Sequence, residues 1–332
     1  MSTNGSTSQA PKYDVVGIGN AIVDVISNVD ENFIHTHDLT KGAMTLIDAE
    51  RASNLYEMMP PGLESSGGSA ANTIAGVASF DRKVSYVGKV RDDQLGEVFA
   101  HDIRAAGVHY DLPPATQGPP TARCLIQVTP DAERTLNTFL GVSALLEPDD
   151  IDETLMADAE VVFCEGYLWD VESAKQAIRV AMDAAHRAGR IVSLTLSDSF
   201  CVERHRQEWL ELIDERVDLL FGNEREVATL FEADDFDMNA ARLAEIVDIG
   251  CITQSERGST IVNGSDRIVI APEPVPVAVD TTGAGDLYAA GFLAGFTGGA
   301  DLGRSGRMAS IAAAEAIGHI GARPSVPLTT LV

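Results

Sequence analysis

Two hydrophobic patterns alternate along the second half of the chain. Short apolar runs begin near Ala159, Arg190 and Val217 and predict buried strands. Stretches at 171–189 and 206–213 have helical periodicity and predict amphipathic helices between those strands. Strands joined by helices form right-handed crossovers in a parallel sheet. The pattern therefore predicts an α/β fold with a mostly parallel central sheet flanked by helices.

The first half of the chain predicts a strand of the main sheet and a second, smaller sheet. The run DVVGIGNAIVD that follows Tyr13 is apolar and contains glycines, as a buried strand that opens into a loop does. GAMTLID at 42–48 and ARCLIQVT at 122–129 instead alternate apolar and polar residues. Such alternation is typical of strands with one solvated face, so we expect these segments in a separate small sheet.

The two ends of the chain differ in character. Near the C-terminal end, Asn263-Gly264 predicts a hairpin turn, and helices are expected over about 283–298 and 302–318. Residues 1–12 are small and polar without an apolar core, which favours a flexible tail over a signal peptide. With no clean linker beyond the tail, residues 13–332 are expected to form a single domain.

Composition narrows the classes of partner. Of the 332 residues, 45% are hydrophobic, which is ordinary for a globular core. The net charge of −26 would repel nucleic-acid phosphates and anionic membrane surfaces, so neither is expected as a partner. Cys124, Cys164, Cys201 and Cys251 are scattered without a CxxC pair, which favours buried, reduced thiols and a cytoplasmic protein.

The heptapeptide DTTGAGD at 280–286 is the first candidate for chemistry. Gly283 and Gly285 let the backbone approach a ligand closely, and a helix that begins there would direct free N–H groups at an anion. Asp286 would then lie beside the bound anion, where accepting a proton from an attacking hydroxyl gives a carboxylate a purpose.

The alternative for this heptapeptide is structural. Thr281 and Thr282 would cap the helix, and Asp286 would complement its dipole. The spacing alone does not decide between the two interpretations, although capping leaves both glycines unexplained.

Two further stretches carry similar ambiguities. ESSGGSAANTIAGVASF at 64–80 leads a glycine pair into a helix of small residues with Asn72 one turn inside, which suits either a ligand or close helix packing. Asn223 and Glu226 follow a predicted strand at positions i and i+3. They suit a hydrated magnesium ion, or equally a helix N-cap with glutamate at the third position.

Taken together, these stretches resemble the ribokinase-like (PfkB-type) family of sugar and nucleoside kinases. DTTGAGD before LYAAGF is similar to the family's C-terminal signature, GGSAANTI to its N-terminal glycine motif, and Asn223-x-x-Glu226 to its magnesium motif. The resemblance extends over Tyr13 to Pro324. It implies ATP-dependent phosphotransfer to an alcohol and a small β-sheet lid with strands from about 25–50 and 108–140.

The resemblance implies roles for residues around the transferred phosphate. Asp286 would be the catalytic base, and the backbone of Gly283, Ala284 and Gly285 would form the anion hole. Arg134, in ERTLNTFLGVS, is similar to an arginine that lies near that phosphate in the adenosine kinases of the family.

The implied cofactors are ATP and Mg²⁺, and whether a monovalent cation such as K⁺ is also used stays open. Asn223 and Glu226 would hold Mg²⁺ through water, while Thr253 and Gly258 would line the ATP site. The TQSERGS segment departs from the family at Ser255, where a glycine is usual. Asp280 has no assigned role beyond a structural or ion-binding one.

On the acceptor side, the GN-x-x-x-D, GGS-x-x-N and TQ patterns are most similar to adenosine kinases, which implies that adenosine becomes AMP as in purine salvage. A free sugar such as ribose or fructose, or another purine nucleoside, stays open as the acceptor. A catalytically silent binding protein on the same fold is another alternative, although the intact Asp286 argues against it. The oligomeric state also stays open between a monomer and a homodimer. The residues implied to bind the acceptor are Asn20, Asp24, Gly67, Gly68 and Asn72.

Four further apolar residues would either contact a base or belong to the core: Met44, Leu46, Leu136 and Phe139.

Overall fold

The computed structural model of the chain describes residues 10–131 and 133–332. Most of the predicted tail therefore lies outside the described residues. Where the chain is described, no helix is both long and apolar enough to cross a membrane. All four cysteines are buried and unpaired, as predicted.

The strands form two sheets of unequal size. One has eight strands and the other five, so the predicted small second sheet is confirmed. The strands are β1 (Tyr13–Ile18), β2 (Ile22–Asn28), β3 (Met44–Leu46), β4 (Leu63–Gly67), β5 (Val84–Val87), β6 (Ala122–Val128), β7 (Arg134–Phe139), β8 (Ala159–Glu165), β9 (Ile191–Thr195), β10 (Leu219–Asn223), β11 (Ile249–Thr253), β12 (Ser259–Asn263) and β13 (Asp266–Ile270).

The large sheet has the order β13-β12-β11-β10-β9-β8-β1-β5. Every neighbouring pair from β5 to β11 is parallel, which confirms the predicted mostly parallel sheet. In the described part of the chain, β12 runs antiparallel to both of its neighbours, β11 and β13. The turn between β12 and β13 begins one residue later than predicted. Asn263 still pairs with Asp266, and Gly264 takes the left-handed conformation at φ +53°.

Helices cover both faces of the large sheet. They are α1 (Glu31–Thr36), α2 (Ala49–Met58), α3 (Ser69–Ala78), α4 (Gln94–Ala105), α5 (Glu153–Ala157), α6 (Glu172–Arg187), α7 (Ser199–Arg216), α8 (Glu224–Phe231), α9 (Phe236–Ile246), α10 (Ala284–Thr297) and α11 (Leu302–Ile317). The predicted helices match α6, α10 and α11. Helix α7 begins earlier than predicted because a kink at His205 interrupts its periodicity.

Two apolar layers enclose the large sheet. One side is packed by α6 to α9 and includes Trp169 and Trp209, whose ring centroids are 5.1 Å apart. The other side is packed by α3, α4, α10 and α11. Because both faces are covered, strands such as β8 are apolar almost without interruption.

The five-stranded sheet has the order β3-β7-β6-β2-β4. Four of its strands fall near the segments implied by the family resemblance, and β4 comes from a segment for which the sequence predicted no strand. Helix α2 packs on one face, where Arg123 donates to Ser53 Oγ at 2.9 Å. The other face carries a small apolar cluster of Cys124, Ile126 and Val128.

A glycine sets the distance between α10 and α11. A β-carbon on Gly291 would lie 2.5 Å from the carbonyl oxygen of Met308 and 2.7 Å from Cα of Ala309. The two backbones can therefore approach this closely only without a side chain at this position, and the approach helps to place the N-terminus of α10.

Replacing Gly291 with alanine is expected to lower the free energy of unfolding by about 2 kcal/mol or more, because the new methyl group meets backbone atoms. Gly303→Ala on α11 is the matched control, since its nearest neighbour is the movable Asp301 side chain at 3.3 Å. It should be neutral or stabilising by up to about 1 kcal/mol. Urea unfolding followed by circular dichroism measures both, and equal stability of Gly291→Ala and the parent protein would contradict this packing.

Candidate active site

A small cleft of about 90 Å³ lies at the carboxyl ends of the central strands. It brings together predicted residues that are far apart in the sequence. Those in its lining include Asn223, Glu226, Thr253, Gly285 and Asp286, together with Ser69 of α3. A wider groove between α7 and α9 contains none of the predicted site residues. In open α/β sheets ligands bind at the carboxyl ends of the strands, so the small cleft is the candidate site.

Asp286 is held in the first turn of α10 by two neutral donors. Ser69 Oγ donates to its Oδ1 at 2.7 Å, and Asn72 Nδ2 donates to its Oδ2 at 3.0 Å. Burial raises the pKa of Asp286 to about 6, and these hydrogen bonds and the charge of Arg323 limit the rise. The carboxylate is therefore ionised at neutral pH and still basic enough to accept a proton. Ser69 was missed by the sequence analysis, although it directly follows the glycine pair.

The start of α10 contradicts the capping interpretation of the two threonines. Gly283 occupies the N-cap position at φ +78°, and among the described residues no side chain caps this helix. A β-carbon on Gly283 would lie 2.6 Å from Cβ of Ala322, whereas one on Gly285 would meet nothing within 4 Å. The N–H of Ala284 donates to the carbonyl oxygen of Thr281 at 3.2 Å, which leaves the N–H groups of Gly285 and Asp286 available to an anion in the described structure.

Asp280 organises the loop before α10. Its Oδ1 accepts from the backbone N–H of Thr282 and its Oδ2 from that of Gly321, each at 3.0 Å. Burial works to raise the pKa of Asp280, but these hydrogen bonds and the charge of Arg134 hold it below its ordinary value. The structural role left open for Asp280 is thereby explained.

Arg134 reaches from the small sheet to this loop. Its Nη1 lies 2.7 Å from Asp280 Oδ2 and donates to Thr282 Oγ1 at 3.3 Å. Its Nη2 is buried without a partner among the described residues. A buried donor without an acceptor is unfavourable, so this nitrogen is available to a ligand at the start of α10.

Asp24 lies on β2 of the small sheet, outside the lining of the small cleft but near enough to Asp286 for their charges to interact. A β-carbon on Gly67 would lie 2.4 Å from its Oδ2, so only glycine leaves room for the carboxylate. Burial raises the pKa of Asp24 to about 6 against the charges of Arg323 and Arg134. Gly68 has a different requirement: its φ is +101°, and a β-carbon would lie 2.1 Å from the carbonyl oxygen of Asn20.

The structure does not bring the Asn20 side chain to the cleft surface. Asn20 is 1% exposed, its Nδ2 donates to Glu165 Oε1 at 2.7 Å, and its Oδ1 accepts from Ser143 Oγ at 2.9 Å. The other oxygen of Glu165 accepts from the backbone N–H of Ala70 at 2.9 Å, in the first turn of α3. Asn20 and Glu165 therefore anchor α3. Glu165 was missed by the sequence analysis because its partners are distant in the chain.

Asn223 and Glu226 form the capping box of α8 and also face the cleft. Asn223 Oδ1 accepts from the Glu226 N–H at 2.9 Å, and Glu226 Oε2 accepts from the Asn223 N–H at 2.9 Å. The capping alternative is therefore confirmed. Burial raises the pKa of Glu226 to about 7.

A magnesium ion would fit here only as a hydrated ion. Among the described residues, no group of three or more Asp, Glu, His or Cys side chains could ligate a metal directly. Glu226 uses one lone pair on each carboxylate oxygen for Asn223, which leaves acceptor capacity for water. Magnesium commonly keeps several waters and takes its remaining ligands from substrate phosphates, so these two residues suit that mode of binding.

The TQSERGS segment combines a cleft residue with a backbone requirement. Thr253 lines the cleft at the end of β11. Gly258 instead packs at the start of β12, where its φ is +84° and a β-carbon would lie 2.1 Å from the carbonyl oxygen of Ile270. Ser255 has φ +52°. The left-handed region favours glycine, which explains why glycine is the usual residue there.

The four residues considered for a base pocket divide between the two faces of the small sheet. Met44 pairs with Leu136 and Leu46 pairs with Thr138, which places Met44, Leu46 and Leu136 on the face that carries Arg134. Met44 and Leu46 are 53% and 57% exposed. Phe139 pairs with Arg123 on the opposite face, beside α2, and so belongs to the core.

Comparison with known proteins shows the family and the fold to which the chain is similar. Residues 59–329 match the pfkB family carbohydrate kinases. The fold matches the adenosine kinase from Sinorhizobium meliloti at 50% identity and a TM-score of 0.89, over 96% of this chain and 98% of that one. A probable sugar kinase protein from Rhizobium etli CFN 42 matches at 48% identity and the same TM-score, over 96% and 97% of the two chains.

A more distant relative extends the comparison to plants. Adenosine kinase 1 of Arabidopsis thaliana is 26% identical over 306 residues, which cover 84% of this chain and 86% of that protein. The family match and the adenosine kinase relatives support a kinase that transfers a phosphoryl group to an alcohol. The chain belongs to the pfkB family of carbohydrate kinases, whose members use ATP.

Gly283→Ala is expected to lower the free energy of unfolding by about 2 kcal/mol, because alanine disfavours positive φ and its methyl group would meet Ala322. Gly285→Ala is the matched control two positions away, and its methyl group would face open space. It should leave stability unchanged or raise it by up to about 1 kcal/mol. Thermal unfolding monitored by circular dichroism compares the two. Similar losses in both variants would contradict the geometry described for the start of α10.

Proposed function

We propose that this protein is an adenosine kinase, which transfers the γ-phosphoryl group of ATP to the primary hydroxyl of adenosine and releases AMP and ADP. The observation that carries the proposal is the half-buried Asp286 carboxylate, held by Ser69 and Asn72 in the first turn of a helix that no side chain of the described residues caps. A proton acceptor and an anion-binding helix terminus meet there, as phosphoryl transfer to an alcohol requires.

In the proposed reaction, Asp286 takes the proton of the acceptor hydroxyl as its oxygen bonds to the γ-phosphorus. The bond from that phosphorus to the β–γ bridging oxygen breaks, and ADP leaves with the bond's electron pair. The first-turn N–H groups from Gly283, Ala284 and Gly285 stabilise the charge on the transferred group. Protonation also removes the negative charge of Asp286 as the anion moves toward it, which lowers their repulsion.

Arg134 supplies a positive charge on the other side of the transferred group. The proposal is supported by its unpartnered, buried Nη2 and by its contact with Thr282 in the loop before α10. Guanidinium donors suit phosphate oxygens, and the residue extends from the small sheet to the loop before α10. Closure of the small sheet as a lid would bring this charge to the phosphate and exclude water.

The nucleotide side would use the groups at the ends of β10 and β11. Asn223 and Glu226 would hold hydrated Mg²⁺, and Thr253 would contact the nucleotide, with Gly258 shaping the strand beside it. Magnesium bound there would screen the negative charges of the phosphates.

The acceptor side would use Asp24 and the face of the small sheet that carries Leu136. A carboxylate beside Gly67 suits two neighbouring ribose hydroxyls, since each oxygen can accept a hydrogen bond. Met44, Leu46 and Leu136 would contact the purine. Their apolar side chains favour a base over a free sugar, which would leave them against water. The reaction is one of purine salvage in the cytoplasm, a location that the four reduced cysteines support.

A sugar kinase is the second candidate. It is supported by the Rhizobium etli relative, a probable sugar kinase at 48% identity. With a small acceptor such as ribose or fructose, the exposed Met44 and Leu46 would stay uncovered by substrate and would be available to a second copy of the chain. In an adenosine kinase the purine would cover Met44 and Leu46, which suits a monomer. In a sugar kinase a second copy of the chain would cover them, which suits a homodimer.

ADP release with adenosine, guanosine, inosine, ribose and fructose tests the proposal, and adenosine is expected to turn over fastest. Asp286→Asn should lower kcat by about 10²–10⁴-fold, because an amide cannot accept the proton. Asp301→Asn at the N-cap of α11 is the matched control, since asparagine caps as well as aspartate and this residue is remote from the cleft. Faster turnover of a free sugar, or an Asp286→Asn enzyme with most of its activity, would refute the proposal.

A further inference from the structure

The segment that follows α11 contacts the candidate site at three consecutive residues. Gly321 donates its N–H to Asp280 Oδ2 at 3.0 Å. Ala322 packs against Gly283 so closely that a β-carbon on that glycine would lie 2.6 Å from its Cβ. Arg323 turns inward toward α3. Three consecutive residues thus touch the loop before α10, the N-cap of α10, and the helix that supplies a donor to Asp286.

Arg323 is anchored on two elements at once. Its Nε donates to Asn72 Oδ1 at 2.9 Å, and its Nη2 donates to the carbonyl oxygen and the Oγ of Ser66 at 3.0 and 2.9 Å. Ser66 is itself fixed by Asp102 of α4, whose Oδ2 accepts from its N–H at 2.7 Å and its Oγ at 2.6 Å. The guanidinium therefore has a defined position before any ligand binds.

This contact decides which way the Asn72 amide faces. A guanidinium has donors and no acceptor, so only the amide oxygen can face Arg323. The amide nitrogen is then directed at Asp286 Oδ2, to which it donates at 3.0 Å. With the amide reversed, an oxygen would face the carboxylate and an NH₂ group would face the guanidinium, and both contacts would be repulsive.

The charges around Asp286 make the arginine electrostatically important as well. The acidic groups that face it are Asp24 from β2, Glu165 from β8 and, just beyond β8, Tyr167. Arg323 is the cation that favours the ionised form of Asp286. Burial lowers the pKa of Arg323, while Asp102, Asp24, Tyr86 and Asp286 work to raise it.

We propose that Arg323 is a positioning residue for the base: through Asn72 it orients the Asp286 carboxylate, and through its charge it keeps that carboxylate ionised among acidic neighbours. The proposal rests on the proposed function, since it assigns a part to the base of that reaction. It gives a purpose to a buried arginine that neither lines the cleft nor belongs to any of the three motifs.

The test compares Arg323→Gln and Arg323→Lys with the parent enzyme. The Asp286 carboxyl is titrated by ¹³C NMR, with its signal assigned by its loss in Asp286→Asn, and kcat and KM for adenosine are measured from pH 5 to 9. In Arg323→Gln the Asp286 titration and the acidic limb of kcat/KM should both move upward by about one pH unit, a tenfold lower ionised fraction at low pH.

The pKa of Asp286 should rise in Arg323→Gln, because removing the cation favours the protonated carboxyl. The variant should therefore lose activity as the pH falls and regain most of it near pH 9. Near pH 9, where Asp24 and Asp286 are both ionised, the KM for adenosine should change by less than about threefold, whereas at low pH the loss of the Arg323 charge from Asp24 should raise the KM. Arg323→Lys keeps the charge but cannot hold Asn72 and Ser66 together, so it should retain the parent's acidic limb with an intermediate kcat.

Arg307→Gln on α11 is the matched control, because Arg307 is an exposed arginine paired with Glu273. It should change neither the titration of Asp286 nor kcat.

An unmoved Asp286 titration in Arg323→Gln, or a loss of kcat that is equal at every pH, would overturn the proposal. If Arg323→Gln does not fold, Arg323→Lys and Ser66→Ala decide, and parent values of kcat in both would overturn it. The NMR titration needs no turnover. A parent protein that phosphorylates none of the acceptors therefore refutes the proposed function while the effect of Arg323 on Asp286 is still measured.

Discussion

The candidate site depends on one half-buried carboxylate, Asp286, at the N-terminus of α10 and on the groups that favour its ionised form. Burial alone would favour its neutral form, and two hydrogen bonds from α3 and the nearby guanidinium of Arg323 oppose that tendency. Because these groups come from different elements, α3, α10 and the segment after α11 must be placed accurately relative to one another. Gly291 and Gly283 permit the close approaches that set this arrangement.

The supporting contacts form a continuous network around the cleft. Glu165 and Asn20 anchor the start of α3, while Arg323 orients Asn72 one turn further along that helix. On the other side, Asp280 ties the loop before α10 to Gly321 and to Arg134 of the small sheet. Charged side chains that have no proposed contact with the substrates therefore fix the N-termini of both α3 and α10. Arg134 also connects the small sheet to the loop before α10, so movement of the small sheet away from that loop must break or exchange its contact with Asp280.

Local patterns in the sequence predicted the parallel sheet, the small sheet and the residues whose function depends on neighbours in the chain. Asp286 with its glycines, and Asn223 with Glu226, are of this kind. Arg323, Glu165 and Asp102 could not be found in this way, because a contact such as that between Arg323 and Asn72 spans 251 positions. The sequence also could not show that the Asn20 amide is fully used inside the protein, or that Phe139 and Leu136 lie on opposite faces of β7. Those facts depend on tertiary contacts and on strand register, which spacing alone leaves undetermined.

The central claim is that one cleft holds an acceptor hydroxyl against Asp286 and a phosphate against the start of α10. A crystal structure with adenosine and a non-hydrolysable ATP analogue tests it most directly. The account predicts the primary hydroxyl within hydrogen-bonding distance of an Asp286 oxygen, the ribose on Asp24, and the γ-phosphate over the N–H groups from Gly283 to Gly285. A primary hydroxyl turned away from Asp286, or a γ-phosphate bound elsewhere, would contradict it.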